Sequence, residues 1–574
     1  MVEWSSTREQ RQARLQGLVD GSAKAGRGTR TAPENLLMGV GLRAVARREQ
    51  GLELSELEQL LTDALDKLLP RDEIAQAGAL FTRAQEQGTL AGVASSVAQL
   101  PVTAPYSTAD LVAELPVLGK QVMAQPNCNV VKVADLTAGG SLDSPEFVEA
   151  IRGYDSVLTV VSGDGSQART LPETTLNFRM LKFYCQERTG DSSFGKSDEI
   201  YWMTGGGSDL GAETTYASQE FGDVDSGEQR PFPANASLLR GRVGEIVTVD
   251  IECWEKDSGS FWEEIRDALR DVANACVDAC GEIAEHGESA DAGLAALVAV
   301  IAGLMGAILT WLLGKDDLIQ QRTFAFDRAA LEALREDNTW LDFRGEDAWY
   351  QLIVQVIGAR PIARHWKGLA GTTFENGDFD AAVTVPDSEN DIYIFSADKY
   401  VRYHVWDEKL VAHTAIAEGW PALAGTTFAA GLDAAANVPG SGSDVYLFQG
   451  ADYMRYDAKA EKIIRHKSLA AGWPGLAGTP FATGGFDAAV AVPGSPDDVY
   501  LFKGSQYMRY NTTADEIVQH KSLVAGWPGL ADTPFAEGGV DAAAVVPDSS
   551  SDVYLFKGTE YVRYNVEQDG IVYA

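Results

Sequence analysis

Carboxylates are the side chains of this sequence best placed to do chemistry. Asp191, Asp198 and Glu199 fall in one turn, Asp223 and Asp225 in FGDVDSG, Glu255 and Asp257 in WEKDS, and Asp316 and Asp317 in GKDD, all between strand-like runs. Hard cations such as calcium take roughly six to eight oxygen ligands, and carboxylates converging from several loops supply them. Asp191, Asp198, Glu199, Asp257, Asp316 and Asp317 are therefore candidate calcium ligands. The competing reading is solvated turn acids in a chain that is acidic throughout, and no D-x-D-x-D-G loop backs the calcium. A second set of acids is periodic: Asp380, Asp433, Asp487 and Asp541 each open a D-A-A stretch, at spacings of 53, 54 and 54.

Catalytic groupings are scarce. There is no H-E-x-x-H, P-loop, G-x-S-x-G elbow or dinucleotide-binding fingerprint in a strand–turn–helix context. Of six histidines, His413, His466 and His520 recur at the repeat period and His365 sits in a partial repeat, which reads as outer-strand packing. His286 and His404 have nothing to pair with. The five cysteines, Cys128, Cys185, Cys253, Cys276 and Cys280, form no C-x-x-C pair. Cys276 and Cys280, one helical turn apart, read as small buried hydrophobes. The expectation is a protein that is not an enzyme.

The elements that must position the periodic acids are themselves repeated. Arg402, Arg455, Arg509 and Arg563 stand in YVRY, YMRY, YMRY and YVRY, preceded by DIYIF, DVYLF, DVYLF and DVYLF. Trp420, Trp473 and Trp527 close the first three units in GWPALAGTTF, GWPGLAGTPF and GWPGLADTPF. A fixed period of this size means supersecondary units that cannot bury their faces alone. Each unit reads as three or four short strands, and four units arranged radially make a small β-propeller.

The D-A-A, D-x-Y-x-F, Y-x-R-Y and G-W-P motifs resemble hemopexin repeats over about residues 360–574. The resemblance implies a central tunnel in which backbone carbonyls ring calcium or sodium. By motif these belong to Asp380, Asp433, Asp487 and Asp541, with Ala382, Ala435, Ala489 and Ala543 as a second layer. It also implies tolerance of a polyamine there. Haem is not expected, since that resembles a job for two propellers with linker histidines. Hemopexin domains often close their ring with a disulfide, but no cysteine follows Cys280. The last unit stops at GIVYA, and IARHWKGLAGTTF (residues 362–374), which resembles its missing tail, precedes the first unit. Without H-E-x-x-H, the metalloproteinases that carry such domains are not the model.

Residues 1–125 read mainly as helix; LSELEQLLTDALDKLL (54–69) has a clean apolar face and a Ser55-to-Glu58 capping signal, whereas Pro101, Pro105, Pro116 and Pro126 punctuate a less regular stretch. Residues 126–359 switch to strands and read as an antiparallel β-sandwich, with a weak similarity to calcium-dependent lipid-binding sandwiches. A helical hairpin interrupts it at about 261–313. Its second half, AGLAALVAVIAGLMGAILTWLL (292–313), carries no charge over 22 residues. As a helix it spans roughly 33 Å, enough for a hydrocarbon core of about 30 Å. Ala295, Ala299, Gly303 and Ala307 form a small-residue stripe on which another helix can pack closely. Two readings compete: a core helix, or a membrane-inserting element exposed on a trigger.

The whole is expected to be a multidomain α+β protein: helical 1–125, sandwich 126–359 and four-bladed propeller 360–574. With 47 basic against 83 acidic residues and a net charge of −36, nucleic acid is excluded as a partner. The N-terminus has no apolar h-region, so the expectation is a cytoplasmic protein, or one released by lysis or a non-standard export route. The functional expectation is a binding protein, toxin-like or membrane-acting, whose propeller takes a protein, glycan or small cationic ligand. The alternative is a soluble ligand-, polyamine- or metal-binding protein resembling hemopexin-fold albumins, with the hairpin as core.

Overall fold

The computed structural model describes residues 6–22, 35–135, 140–163, 173–189, 198–233, 235–255, 300–312 (with gaps at 302, 305 and 309), 318–335, 338–482, 484–531 and 533–572. They divide into two compact units, Met1–Ile357 and Gly358–Ala574.

The first unit opens with helices α1 (Arg8–Asp20), α2 (Leu36–Glu49), α3 (Glu56–Leu68), α4 (Arg71–Gln87), α5 (Ser95–Gln99) and α6 (Thr108–Met123). The capping box expected at Ser55 starts α3: Ser55 Oγ accepts from the Glu58 amide and Glu58 Oε2 from the Ser55 amide. Glu58 does more than cap. It is fully buried, takes Arg43 Nη1 at 2.9 Å and Arg47 Nε at 3.1 Å, and accepts from the Tyr106 amide at 3.0 Å. That ties α2, α3 and the start of α6 together, and it explains how an almost wholly buried α2 carries two buried arginines, Arg43 and Arg47. Pro116 does not interrupt α6; the helix runs through it.

Twelve strands follow among the described residues: β1 (Cys128–Lys132), β2 (Ser156–Ser162), β3 (Thr174–Glu187), β4 (Asp198–Ser208), β5 (Glu213–Ala217), β6 (Phe221–Val224), β7 (Gln229–Pro231), β8 (Ser237–Val243), β9 (Ile246–Trp254), β10 (Leu318–Asp327), β11 (Thr339–Arg344) and β12 (Trp349–Gly358). One sheet runs β1-β2-β10-β9-β4-β5 with β6 on β4; the other runs β11-β12-β3-β7 with β8 on β3. Both sheets contribute to one core, in which Trp202 and Phe343 meet edge to face at 4.9 Å. The wholly antiparallel expectation needs correction: β1–β2 and β2–β10 are parallel. Parallel neighbours require a crossover, and residues 133–155, with a short helix at Pro145–Ala150, provide one between β1 and β2. All seven residues of β2 are buried, which is why SVLTVVS lacks the alternation of a half-exposed strand.

The first helix of the expected hairpin, with Ala295 and Ala299, lies outside the described residues. In the second, Gly303 and Ala307 are buried, and Val300, Leu304, Ile308, Trp311 and Leu312 share a core with α1–α6 and with Tyr201, Met203 and Trp254 of the sheet. From α1, Arg14 donates to the Trp311 and Leu312 carbonyls at 3.0 and 2.8 Å. No helix among the described residues is long and apolar enough to cross a membrane.

In the second unit each repeat is an antiparallel sheet. The first three have four strands, beginning at Ala381–Thr384, Ala434–Asn437 and Ala488–Ala491. The fourth begins at Ala542–Val545 and continues through Asp552–Lys557 to Glu560–Asn565, to which both Gly570–Ile571 and Arg360–Pro361 pair. The four first strands neighbour one another in closed order, the fourth lying beside the first. Strand alternation builds the interfaces. Val445 and Leu447 of DVYLF enter the core shared with the first sheet, while Tyr446 and Phe448 enter the core shared with the third.

Candidate functional site

The repeated aspartates sit at the entry of the first strands, and each caps a turn in its own sheet. Oδ2 of Asp380, Asp433, Asp487 and Asp541 accepts from the amides of Ala397, Gly450, Gly504 and Gly558 at 2.6, 2.5, 2.6 and 2.8 Å. Those residues have φ of 49, 54, 51 and 52°, so the carboxylate holds a left-handed turn that glycine favours and Ala397 adopts under strain. Asp541 also takes Lys557 Nζ at 2.5 Å. Asp380 reaches solvent, yet partial burial raises its carboxyl above the ordinary range. The Ala397 amide opposes that shift, while Asp433, Asp378 and Asp541 add to it. Carboxylates from two other sheets therefore act on Asp380 at one end of the ring.

Next along the strands, Ala382, Ala435, Ala489 and Ala543 are each 1% exposed. At the far end, Asn437 Nδ2 donates to the Thr384 carbonyl at 2.9 Å and Thr384 Oγ1 to the Val545 carbonyl at 2.6 Å, linking the second, first and fourth sheets.

A second fourfold set went unread as chemistry in the sequence. Arg402, Arg455, Arg509 and Arg563 donate through Nε to Asp391, Asp444, Asp498 and Asp552, the opening residues of D-x-Y-x-F, at 2.6, 2.6, 2.8 and 2.7 Å. Their identical spacing in every repeat was the available signal. The periodic histidines pack as expected: His413, His466 and His520 stand edge-on to Phe374, Phe428 and Phe481 at 5.7, 5.6 and 5.6 Å.

The sandwich acids do not assemble a site among the described residues. Asp198 is buried, its oxygens taken by the Thr189 amide at 2.9 Å, Thr189 Oγ1 at 2.7 Å and Tyr350 Oη at 2.6 Å. Glu199, next on β4, is exposed. Asp191, Asp257, Asp316 and Asp317 lie outside the described residues, among which no group of three or more His, Cys, Asp or Glu is placed to hold a metal. Burial pushes the Cys185 thiol up to about 11 and Cys253 up as well, which disfavours the thiolate form at both.

Albumin-2 of Lathyrus sativus is 31% identical to this chain over 194 residues, 32% of this chain and 83% of that protein. Through its repeats the chain belongs to the hemopexin-repeat family. Matrix metallopeptidase-21 of Danio rerio is 36% identical over 98 residues, 17% of this chain and 15% of the relative. Among solved structures, the hemopexin fold protein CP4 from cow pea is similar at 29% identity and a TM-score of 0.31, over 34% of this chain and 91% of that one. No family model matches the chain.

This hemopexin-type unit closes its ring without cysteine. Trp366, from the fragment ahead of the first repeat, packs on Tyr554, Phe556 and Tyr561 of the fourth sheet at 5.4, 5.3 and 5.5 Å and on Tyr403 of the first at 5.0 Å. Trp420, Trp473 and Trp527 make the equivalent contacts at the other seams. The glycine of each GWP has a steric reason: a Cβ on Gly419, Gly472 or Gly526 would run into the ring of Tyr400, Tyr453 or Tyr507.

Proposed function

We propose that the hemopexin-type unit is a four-bladed propeller, and that the protein is a non-catalytic binding protein holding a hard cation on the propeller axis. The observation that carries this reading is the closed order of the four first strands, with Asp380 feeling both Asp433 and Asp541. The donor set fits such an ion. The Thr384 and Val545 carbonyls accept from other sheets, so they turn away from their own strand partners. Carbonyls two residues apart on a strand point the same way. The carbonyls of Ala382 and of Ala543 therefore face that side too, and the motif extends this to Ala435 and Ala489 and assigns the carbonyls of Asp380, Asp433, Asp487 and Asp541 to the entry of the same axis. Neutral oxygens backed by carboxylates suit calcium or sodium, and a small cationic ligand at the carboxylate mouth is compatible with the same field.

Of the two readings of the apolar helix, the packing of Val300, Leu304, Ile308 and Trp311 against α1–α6 favours the core helix. The albumin-like alternative is accordingly preferred to a membrane-acting effector. Calcium titration by calorimetry, with anomalous scattering from crystals grown in calcium, tests the proposal. One ion on the axis, lost to chelator, is expected; side chains plugging the axis, with no heat of binding, would overturn the ion while leaving the fold.

A further inference from the structure

Two seams of the propeller carry cavities built from equivalent residues. Between the third and fourth sheets, about 250 Å³ is bounded by Trp527, Tyr564, Gly526, Lys521 and Asp569. Between the fourth and first, about 210 Å³ is bounded by Trp366, Tyr403, His365, Arg360, Glu408 and Trp406. The repeat aligns them residue for residue, so the differences stand out. His365 replaces Gly526 and sits edge-on to Tyr561 at 6.1 Å. Trp406 replaces Glu567, where the other repeats have Lys459 and Thr513. Trp406 is 46% exposed and is the only exposed tryptophan, tyrosine or phenylalanine among the described residues.

We infer that the fourth–first seam is a binding site for the ring of a neutral sugar; this rests on the reading of the unit as a ligand-binding propeller. Small-molecule pockets commonly run to about 300–1,000 Å³, so a cavity of this size admits a single ring. An exposed indole at its rim offers a flat apolar face to the C–H face of a pyranose. Hydroxyl partners of both kinds are present: the Glu408 carboxylate accepts, and arginine donates. A cation is disfavoured, because Arg563 lies 5.9 Å from the Trp406 ring and Arg360 lines the same wall. A simple anion is disfavoured too, since the Asp552 carboxylate sits 2.7 Å from Arg563 Nε and Glu408 faces the cavity. Mixed polarity around an aromatic face is the chemistry of an uncharged polyol ring.

Saturation-transfer NMR on the full chain tests this with methyl glycosides of glucose, galactose, mannose and N-acetylglucosamine, with choline and acetate as charged probes. At least one glycoside is expected to bind. Trp406→Ala should weaken it about tenfold or more and Glu408→Gln severalfold, with unchanged melting because both residues lie in a surface turn. Binding of choline or acetate alone, binding unaffected by Trp406→Ala, or no glycoside bound at all would each overturn the site. Calcium titration of the same samples separates the failures: retained calcium without sugar sinks only this inference.

Discussion

Arg402 Nε stands 2.6 Å from Asp391 Oδ2 between the second and third strands of the first sheet, and the equivalent pair recurs in all four sheets. The arginines are one-fifth to two-fifths exposed while the aspartates are nearly covered, so the cost of breaking a pair falls on a carboxylate that cannot reach water.

Replacing these arginines with alanine should therefore destabilise the hemopexin-type unit by about 1–3 kcal/mol, below the roughly 3–5 kcal/mol of a fully buried pair because the arginine is partly solvated. The first sheet should suffer most. Asp552 Oδ1 also accepts from Asn565 at 2.7 Å and Asp498 Oδ1 from Asn511 at 2.8 Å, but His404 stands at that position in the first repeat and Asp391 Oδ1 is left without a partner. Urea denaturation should rank Arg402→Ala below Arg563→Ala, and Arg402→Lys should recover only part of the loss.

Trp366→Ala should cost roughly 3–5 kcal/mol, the range for emptying a large aromatic site. The loss should be cooperative across the repeat unit, because Trp366 joins the fourth sheet to the first. Thermal unfolding followed by tryptophan fluorescence checks this; a shift confined to the first sheet's amides in hydrogen exchange would contradict ring closure.

The raised carboxyl of Asp380 gives a pH signature. Above the ordinary value of 3.8, the folded state keeps a proton the unfolded chain has lost. Stability from this group therefore falls as pH rises from 3.8 through the raised folded value. In metal-free buffer, Asp380→Asn should flatten that fall while keeping the Ala397 cap through its amide oxygen. Added calcium should raise the melting temperature of the parent protein more than that of the variant.

Ala307→Asp should lower the stability of the first unit by about 3 kcal/mol or more, by placing an unpaired charge in the core beside Val300 and Trp311. Arg14→Ala should weaken the same region by about 1–2 kcal/mol through the two carbonyls it serves. Calorimetry on both variants, beside vesicle leakage at neutral and acidic pH, is the measurement. Leakage by the parent that Ala307→Asp abolishes without a change in melting would restore the membrane reading.

Much of the repeat unit was legible because each of its features recurs. The 53- and 54-residue spacing, the recurring DVYLF run and the tail-like fragment at 362–374 name the strands and the segment that closes the ring. Local chemistry was legible too, as in the Ser55–Glu58 box. What no spacing could give is the second role of such residues. Glu58 became a buried hub only when Arg43, Arg47 and Tyr106 were brought to it from elsewhere in the chain. The sandwich acids show the reverse: Asp198 and Glu199 are adjacent in sequence but one is buried and the other exposed, and Tyr350, some 150 residues away, claims the buried one. The parallel run β1-β2-β10 is likewise a matter of which distant strands meet. Periodicity and local propensity act over a few residues and survive in one dimension. Burial, charge pairing and strand order depend on contacts between distant segments, and only the tertiary structure decided them.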